Sequence, residues 1–268
     1  MLILEDYLIV IAAIVVPMIT GVFSGMFGIG GGIFFVPITN IILKQYYPEL
    51  NQSMLIANNT SLACIIFSSM TALWLRKHDI EWSKKDLLTR VITLVPGSFL
   101  GGWVVRAIEN KTLNLIFGFS LITLAIYYFF RKEENTHENK LFLNKILPIT
   151  FMPVSFTASL LGMSGAIFLF PLQLKAGYSK YKSAAKCSIS TLIISTAATS
   201  WIFIDPIPEI PSPYFIGDIF WPMIITSILI TPLTIKIGIN INKKIDEKKL
   251  LKTLSLLLLA ISFIHFII

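Results

Sequence analysis

The chain has 268 residues, of which 55% are hydrophobic and 14% charged, with a mean hydropathy of +0.77 and a net charge of +7. A soluble domain carries roughly 25% charged residues, so a soluble fold is excluded. The basic excess is read as an anchor for cytoplasmic loops rather than a nucleic-acid surface.

The first segment, MLILEDYLIVIAAIVVPMIT, lacks a basic start and carries Glu5 and Asp6. It is a poor signal peptide and is read as a retained membrane helix. Next comes GIGGGIFFVP at 28–37, and then further apolar blocks: Leu87–Val105, Leu113–Phe130, Cys187–Ile204, Ile219–Ile235 and Leu250–Ile268. Each approaches the roughly 20 apolar residues that a helix needs to cross the hydrocarbon core. Cys64 and Cys187 fall inside apolar stretches, which favours neither a disulfide framework nor a metal site.

The glycine stretch recurs. GMSGAIFLFP at 162–171 matches GIGGGIFFVP in five of ten positions at an offset of 134. Beyond the prolines, Ala57-Asn-Asn-Thr-Ser pairs with Ala185-Lys-Cys-Ser-Ile, and Trp74 falls within one residue of Trp201. The polar stretch RKEENTHENKLFLNK separates the two halves. The expected organisation is a first transmembrane repeat at 1–130, a cytoplasmic linker at 131–145 and a second repeat at 146–268.

The basic residues orient the halves. Placing 76–90, the linker, 175–186 and 236–252 inside puts nineteen of the 22 there, leaving Lys44, Arg106 and Lys111 outside. Both termini then lie outside, and 5–45 begins and ends on one face while 146–175 does so on the other. The expected fold is an all-α integral membrane protein of two inverted-topology repeats. Each repeat has three full transmembrane helices plus a helical hairpin broken at a Gly-rich motif, 8–10 membrane segments in all. Inverted repeats are a signature of secondary transporters.

The limb Ile33–Lys44 gives about 18 Å of helix at 1.5 Å per residue, too short to span. Its start should therefore lie within the membrane, where protein or a water-filled cavity must satisfy the broken backbone. A helix N-terminus with free N–H groups at that depth is an anion site. Gly28, Gly30, Gly31 and Gly32 would form it with Gly162, Ser164 and Gly165 from the opposite face, without a buried arginine. The competing reading is close helix packing, which fits Gly21 and Gly25. A nucleotide site is disfavoured, since GIGGGI is not GxGxxG and has no Walker lysine.

G-x-G-G-G followed by an apolar stretch and Pro37, with its weaker repeat and the element Ala57, Thr60, Ser61, resembles the TauE/SafE family of sulfite and organosulfur-anion permeases. The resemblance covers nearly the whole chain. It implies a multi-pass transporter of the bacterial cytoplasmic (inner) membrane, carrying sulfite, sulfonates or other small organic anions. GMSGA in place of a glycine run departs from the family pattern.

Asn58, Asn59 and Thr60 are candidate substrate donors, against the alternative of interfacial solvation and capping. Lys186, matched to Asn58, is either a snorkelling lysine or a cation beside the second hairpin; Ser188 is its polar neighbour. Lys175 is read as an interfacial anchor, Trp82 as a headgroup-level residue, and Cys187 as a structural thiol. Asp218 and Glu109 lie near segment ends, so no acidic residue stands out as a proton carrier, although protons remain a candidate coupling ion. A passive anion channel of the same architecture is the alternative to alternating access. An enzyme would need a nucleophile–base pair or a cofactor motif, and His78, His137 and His265 are scattered; no catalytic, cofactor or metal residue is assigned.

Overall fold

The computed structural model describes residues 2–77, 83–131, 140–205, 210 and 212–267. His78, Trp82 and His137, and most of the stretch read as the linker, lie outside the described residues. Helix α6 takes in the last six residues of that stretch, 140–145.

In chain order come α1 (Leu2–Phe27), α2 (Gly32–Tyr46), α3 (Ser53–Leu75), α4 (Lys84–Ala107), α5 (Asn110–Phe130), α6 (Lys140–Leu160), α7 (Ala166–Lys175), α8 (Lys180–Thr199) and α9 (Trp201–Ile204). A two-stranded hairpin, β1 (Phe215–Ile216) and β2 (Ile219–Phe220), precedes α10 (Trp221–Lys244) and α11 (Glu247–Ile267). Among the described residues seven helices are long and apolar enough to cross a membrane. Helix α2 has 15 residues and α7 has 10, which makes about 22 and 15 Å of helix, short of the hydrocarbon thickness.

The chain is an all-α integral membrane protein, and its polarity is arranged accordingly. Large apolar side chains such as Leu229, Leu233, Phe130 and Ile149 point outward, while Thr20, Ser61, Ser68, Thr191 and Ser195 are buried. Lipid accepts the first group, and the second must bond within the bundle. Helix α3 lies deepest of the seven, with 78% of its apolar window enclosed.

Small residues set the helix contacts. Helix α1 packs on α10 and α4 on α6. A Cβ at Gly25 would fall 2.2 Å from the Ile235 carbonyl, and one at Gly101 would fall 2.4 Å from that of Phe156. The approach is main chain to main chain, as in small-xxx-small crossings. Helices α5 and α11 also pair, through Ser255 on the Ala125 carbonyl at 2.8 Å, and α3 pairs with α8. Exchanging α1 with α6, α2 with α7, α3 with α8, α4 with α10 and α5 with α11 returns these same four pairings.

The turn Gly217-Asp218 closes β1 onto β2, with Gly217 at φ +55°, as a two-residue hairpin loop requires. Asp218 and Phe220 are wholly buried, so this hairpin folds inward against α3.

Candidate functional site

Helix α1 stops at Phe27 because Gly28, Gly30 and Gly31 take φ values of +74°, +63° and +91°, a region costly for residues with a Cβ. Helix α6 ends in the same way before Gly162, at φ +63°. The two breaks meet. A Cβ on Gly32 would lie 2.5 Å from the Gly162 carbonyl oxygen and 2.9 Å from Met163 Cα.

The glycine carbonyls of the breaks are engaged. Thr191 donates to Gly28 at 3.3 Å, Ser68 to Gly30 at 2.9 Å and Ser61 to Gly162 at 2.8 Å. Gly31 accepts from Phe34 and Phe35, and Gly165 from Phe168 and Leu169. The amides differ. Among the described residues, the N–H groups of Gly32 and Ile33 at the start of α2 have no acceptor, and neither do those of Ser164 and Gly165 before α7. A buried amide without a partner costs about 1–3 kcal/mol. With acceptors filled and donors open, the pair of breaks favours a ligand that brings negative oxygens.

Ser164 has two roles. Its Oγ accepts from the Ala166 amide at 3.1 Å, capping α7, and sits 2.7 Å from Thr191 Oγ1. A chain of hydrogen bonds thus runs from the start of α7 through Ser164 and Thr191 to the Gly28 carbonyl. Gly165 stands at φ −59° with its open side towards Ile194 Cδ1.

The candidates on α3 divide. Asn58 lies against Gly162, and its Nδ2 donates to the carbonyls of Leu160 at 3.0 Å and Ser159 at 3.3 Å, while its Oδ1 is buried without a partner among the described residues. Asn59 turns away from the breaks and donates to Asp218 at 3.3 Å. Thr60 Oγ1 accepts from the Phe220 amide at 2.9 Å. These two therefore hold the β-hairpin to α3.

Lys186 reaches Asp86 of α4 at 2.6 Å and lies over the Tyr178 ring at 4.9 Å. Ala184, Ser188 and Thr191 of α8 touch the first break, with Ser188 Oγ beside Gly28. Gly28 rests on Ala184 and Ser188 and accepts from Thr191, much as Gly162 rests on Asn58 and accepts from Ser61. These contacts pair Asn58 with Ser188, a register two residues from the one sequence matching suggests. Cys64 and Cys187 are buried and unlinked.

Three arginines that the sequence reading gave no site role are drawn into the bundle, and one of them reaches the first break. Arg76, buried at the end of α3, donates to Ser188 Oγ at 3.2 Å and to the Gly25 carbonyl. Arg90 is equally buried; it pairs with Asp86 at 3.3 Å, bonds Ser190 and stacks on Phe151 at 4.9 Å. Beyond the start of α3, Arg106 pairs with Asp218 at 2.9 Å. Position near a segment end made all of these look interfacial; the one available signal was the recurrence of opposite charges at those ends.

The family model described as sulfite exporter TauE/SafE matches residues 11–265. A probable membrane transporter protein of Methanocaldococcus jannaschii is 28% identical over 251 residues, 91% of each chain. One of Haemophilus influenzae is 22% identical over 265 residues, covering 96% of this chain and 98% of its own. One of Xylella fastidiosa is 30% identical over 123 residues, 43% of this chain and 42% of its own. No solved structure matches.

Proposed function

Since the chain belongs to the sulfite exporter TauE/SafE family, we propose that this membrane transporter carries small anions, sulfite or short sulfonates foremost, by alternating access. The observation that carries the proposal is the imbalance at the glycine breaks, where the glycine carbonyls are engaged and the amides of Gly32, Ile33, Ser164 and Gly165 are open. An oxyanion supplies the missing acceptors and meets the positive ends of α2 and α7. Arg76, one hydroxyl away from Gly28 through Ser188, adds a fixed positive charge and stands where the sequence reading expected none.

The helix pairings that survive exchange of the halves support an inverted repeat, with the anion passing between halves that rock about the breaks. On this reading the linker is cytoplasmic, the termini are external, the membrane is the bacterial inner membrane, and protons are a candidate coupling ion.

The test is flux of sulfite and of a short sulfonate into vesicles holding the purified protein. Gly165→Leu should abolish flux while the protein remains folded, because Gly165 has ordinary helical φ and the one close neighbour of an added Cβ is the flexible end of Ile194, with Val154 and Ala158 at ordinary contact distance. Unchanged flux in that folded variant removes the site. Uphill accumulation driven by a proton gradient separates a transporter from a channel.

A further inference from the structure

Away from the breaks, a small cleft of about 40 Å³ opens between the end of α5 and the start of α11. That is roughly three times the room one water needs, enough for a compact group and too little for a chain. Among the described residues, Arg131, Lys248 and Lys252 line it, with Glu247 as the one carboxylate. Arg131 Nη1 is buried there without a hydrogen-bond partner among the described residues. A guanidinium nitrogen withdrawn from water in this way calls for an acceptor, and three cations against one anion call for a negative one.

The rim of the cleft is apolar. Phe129 lines it and is 48% exposed, and its neighbour Phe130 is 73% exposed. In a membrane protein those rings face acyl chains. Lys248 and Lys252 lie one helical turn apart and are exposed beside the buried Leu251. The lining thus offers charge for a headgroup next to surface for a tail.

We propose that this cleft binds a phosphate group, supplied by the headgroup of an anionic phospholipid whose chains lie along Phe129 and Phe130. Basic pockets between transmembrane helices are suited to such headgroups. A zwitterionic lipid is a poorer fit, because its ammonium would meet Lys248 and Lys252. The bound lipid joins α5 to α11, the closing helices of the two halves, and its effect is on their cohesion rather than on the anion path.

Thermal unfolding of the detergent-purified full chain tests this, with phosphatidylglycerol, phosphatidylcholine or inorganic phosphate added. Phosphatidylglycerol should raise the midpoint by several degrees and phosphatidylcholine should not. The paired exposed substitutions Lys248→Gln and Lys252→Gln should leave the lipid-free midpoint in place and remove most of the gain; Arg131→Gln should remove it as well. An equal rise with inorganic phosphate, lost in the same variants, would keep the phosphate site and overturn the lipid as its source. A rise that survives in the variants, or none with phosphatidylglycerol, overturns the proposal. Sulfite flux by a folded Lys248→Gln, Lys252→Gln variant should persist, which separates this site from the one at the breaks.

Discussion

Arg106 of α4 and Asp218 of the β-hairpin form a 2.9 Å ion pair in which the carboxylate is wholly buried and the guanidinium is 9% exposed. Asn59 donates to the same carboxylate oxygen. Removing one member of such a pair leaves the other charge buried and uncompensated, at about 3–5 kcal/mol; Arg106 keeps a weaker, exposed partner in Asp205 at 3.9 Å, so the loss falls at the lower end. Asp218→Ala should therefore lower stability by that order, and adding Arg106→Met should recover part of it. Denaturant unfolding of the two single variants and the double variant measures the coupling; additive losses would mean that the pair is energetically idle.

The glycines of the first break are not equivalent to Gly165. Gly31 sits at φ +91°, and a Cβ there would fall 2.5 Å from Thr20 Cβ. Gly31→Ala is expected to cost the roughly 1–2 kcal/mol of a left-handed backbone plus a similar overpacking penalty. Gly165→Ala should cost clearly less. Comparing their unfolding midpoints decides the matter, and equal losses would show that the break's conformation is not what excludes a side chain.

Thr191→Val deletes the hydroxyl that bridges Ser164 and the Gly28 carbonyl while keeping the side-chain volume. The stranded carbonyl should cost about 1–3 kcal/mol. Because the two breaks lose their link, the apparent KM for sulfite should rise more than the maximal rate falls. A fall in rate alone would place Thr191 in the moving parts rather than the site.

Lys186 and Asp86 tie α8 to α4 at 2.6 Å, with Asp86 35% exposed. A half-exposed pair contributes about 1 kcal/mol or less. Lys186→Gln should lower stability by that amount, and Asp86→Asn should cost more, because Asp86 also pairs with the buried Arg90 at 3.3 Å. If Lys186→Gln instead abolishes flux at unchanged stability, the lysine serves the substrate directly.

Orientation can be read with single cysteines on a background of Cys64→Ala and Cys187→Ala, both native thiols being buried. A cysteine at Lys140 should label only from the cytoplasm and one at Ile210 only from outside. Labelling of both from one side would remove the inversion of the halves.

The sequence showed most plainly what depends on local chemistry. Glycine runs inside apolar stretches marked the places where α1 and α6 stop, and the blocks Leu87–Val105 and Leu113–Phe130 fall within α4 and α5. Contacts between distant segments left little trace. Arg106 and Asp218 are 112 residues apart, and each looks interfacial when its own segment is read alone. The hairpin at 215–220 was hidden because Phe220, which ends it, belongs to the same apolar run as α10. Matching Asn58 to Lys186 followed residue order, whereas packing against the breaks follows helix phase, and a two-residue shift turns a side chain by more than half a turn.

The meeting of Gly32 with the Gly162 carbonyl bears on how one architecture can serve several cargoes. Where two backbones touch with no side chain between them, substitution has nothing to adjust short of prising the halves apart. On the proposed anion reading, discrimination is then left to the residues that surround the contact, such as Ser164, Thr191, Ser188 and Arg76. A relative that carries a larger anion is expected to keep its glycines and alter that ring.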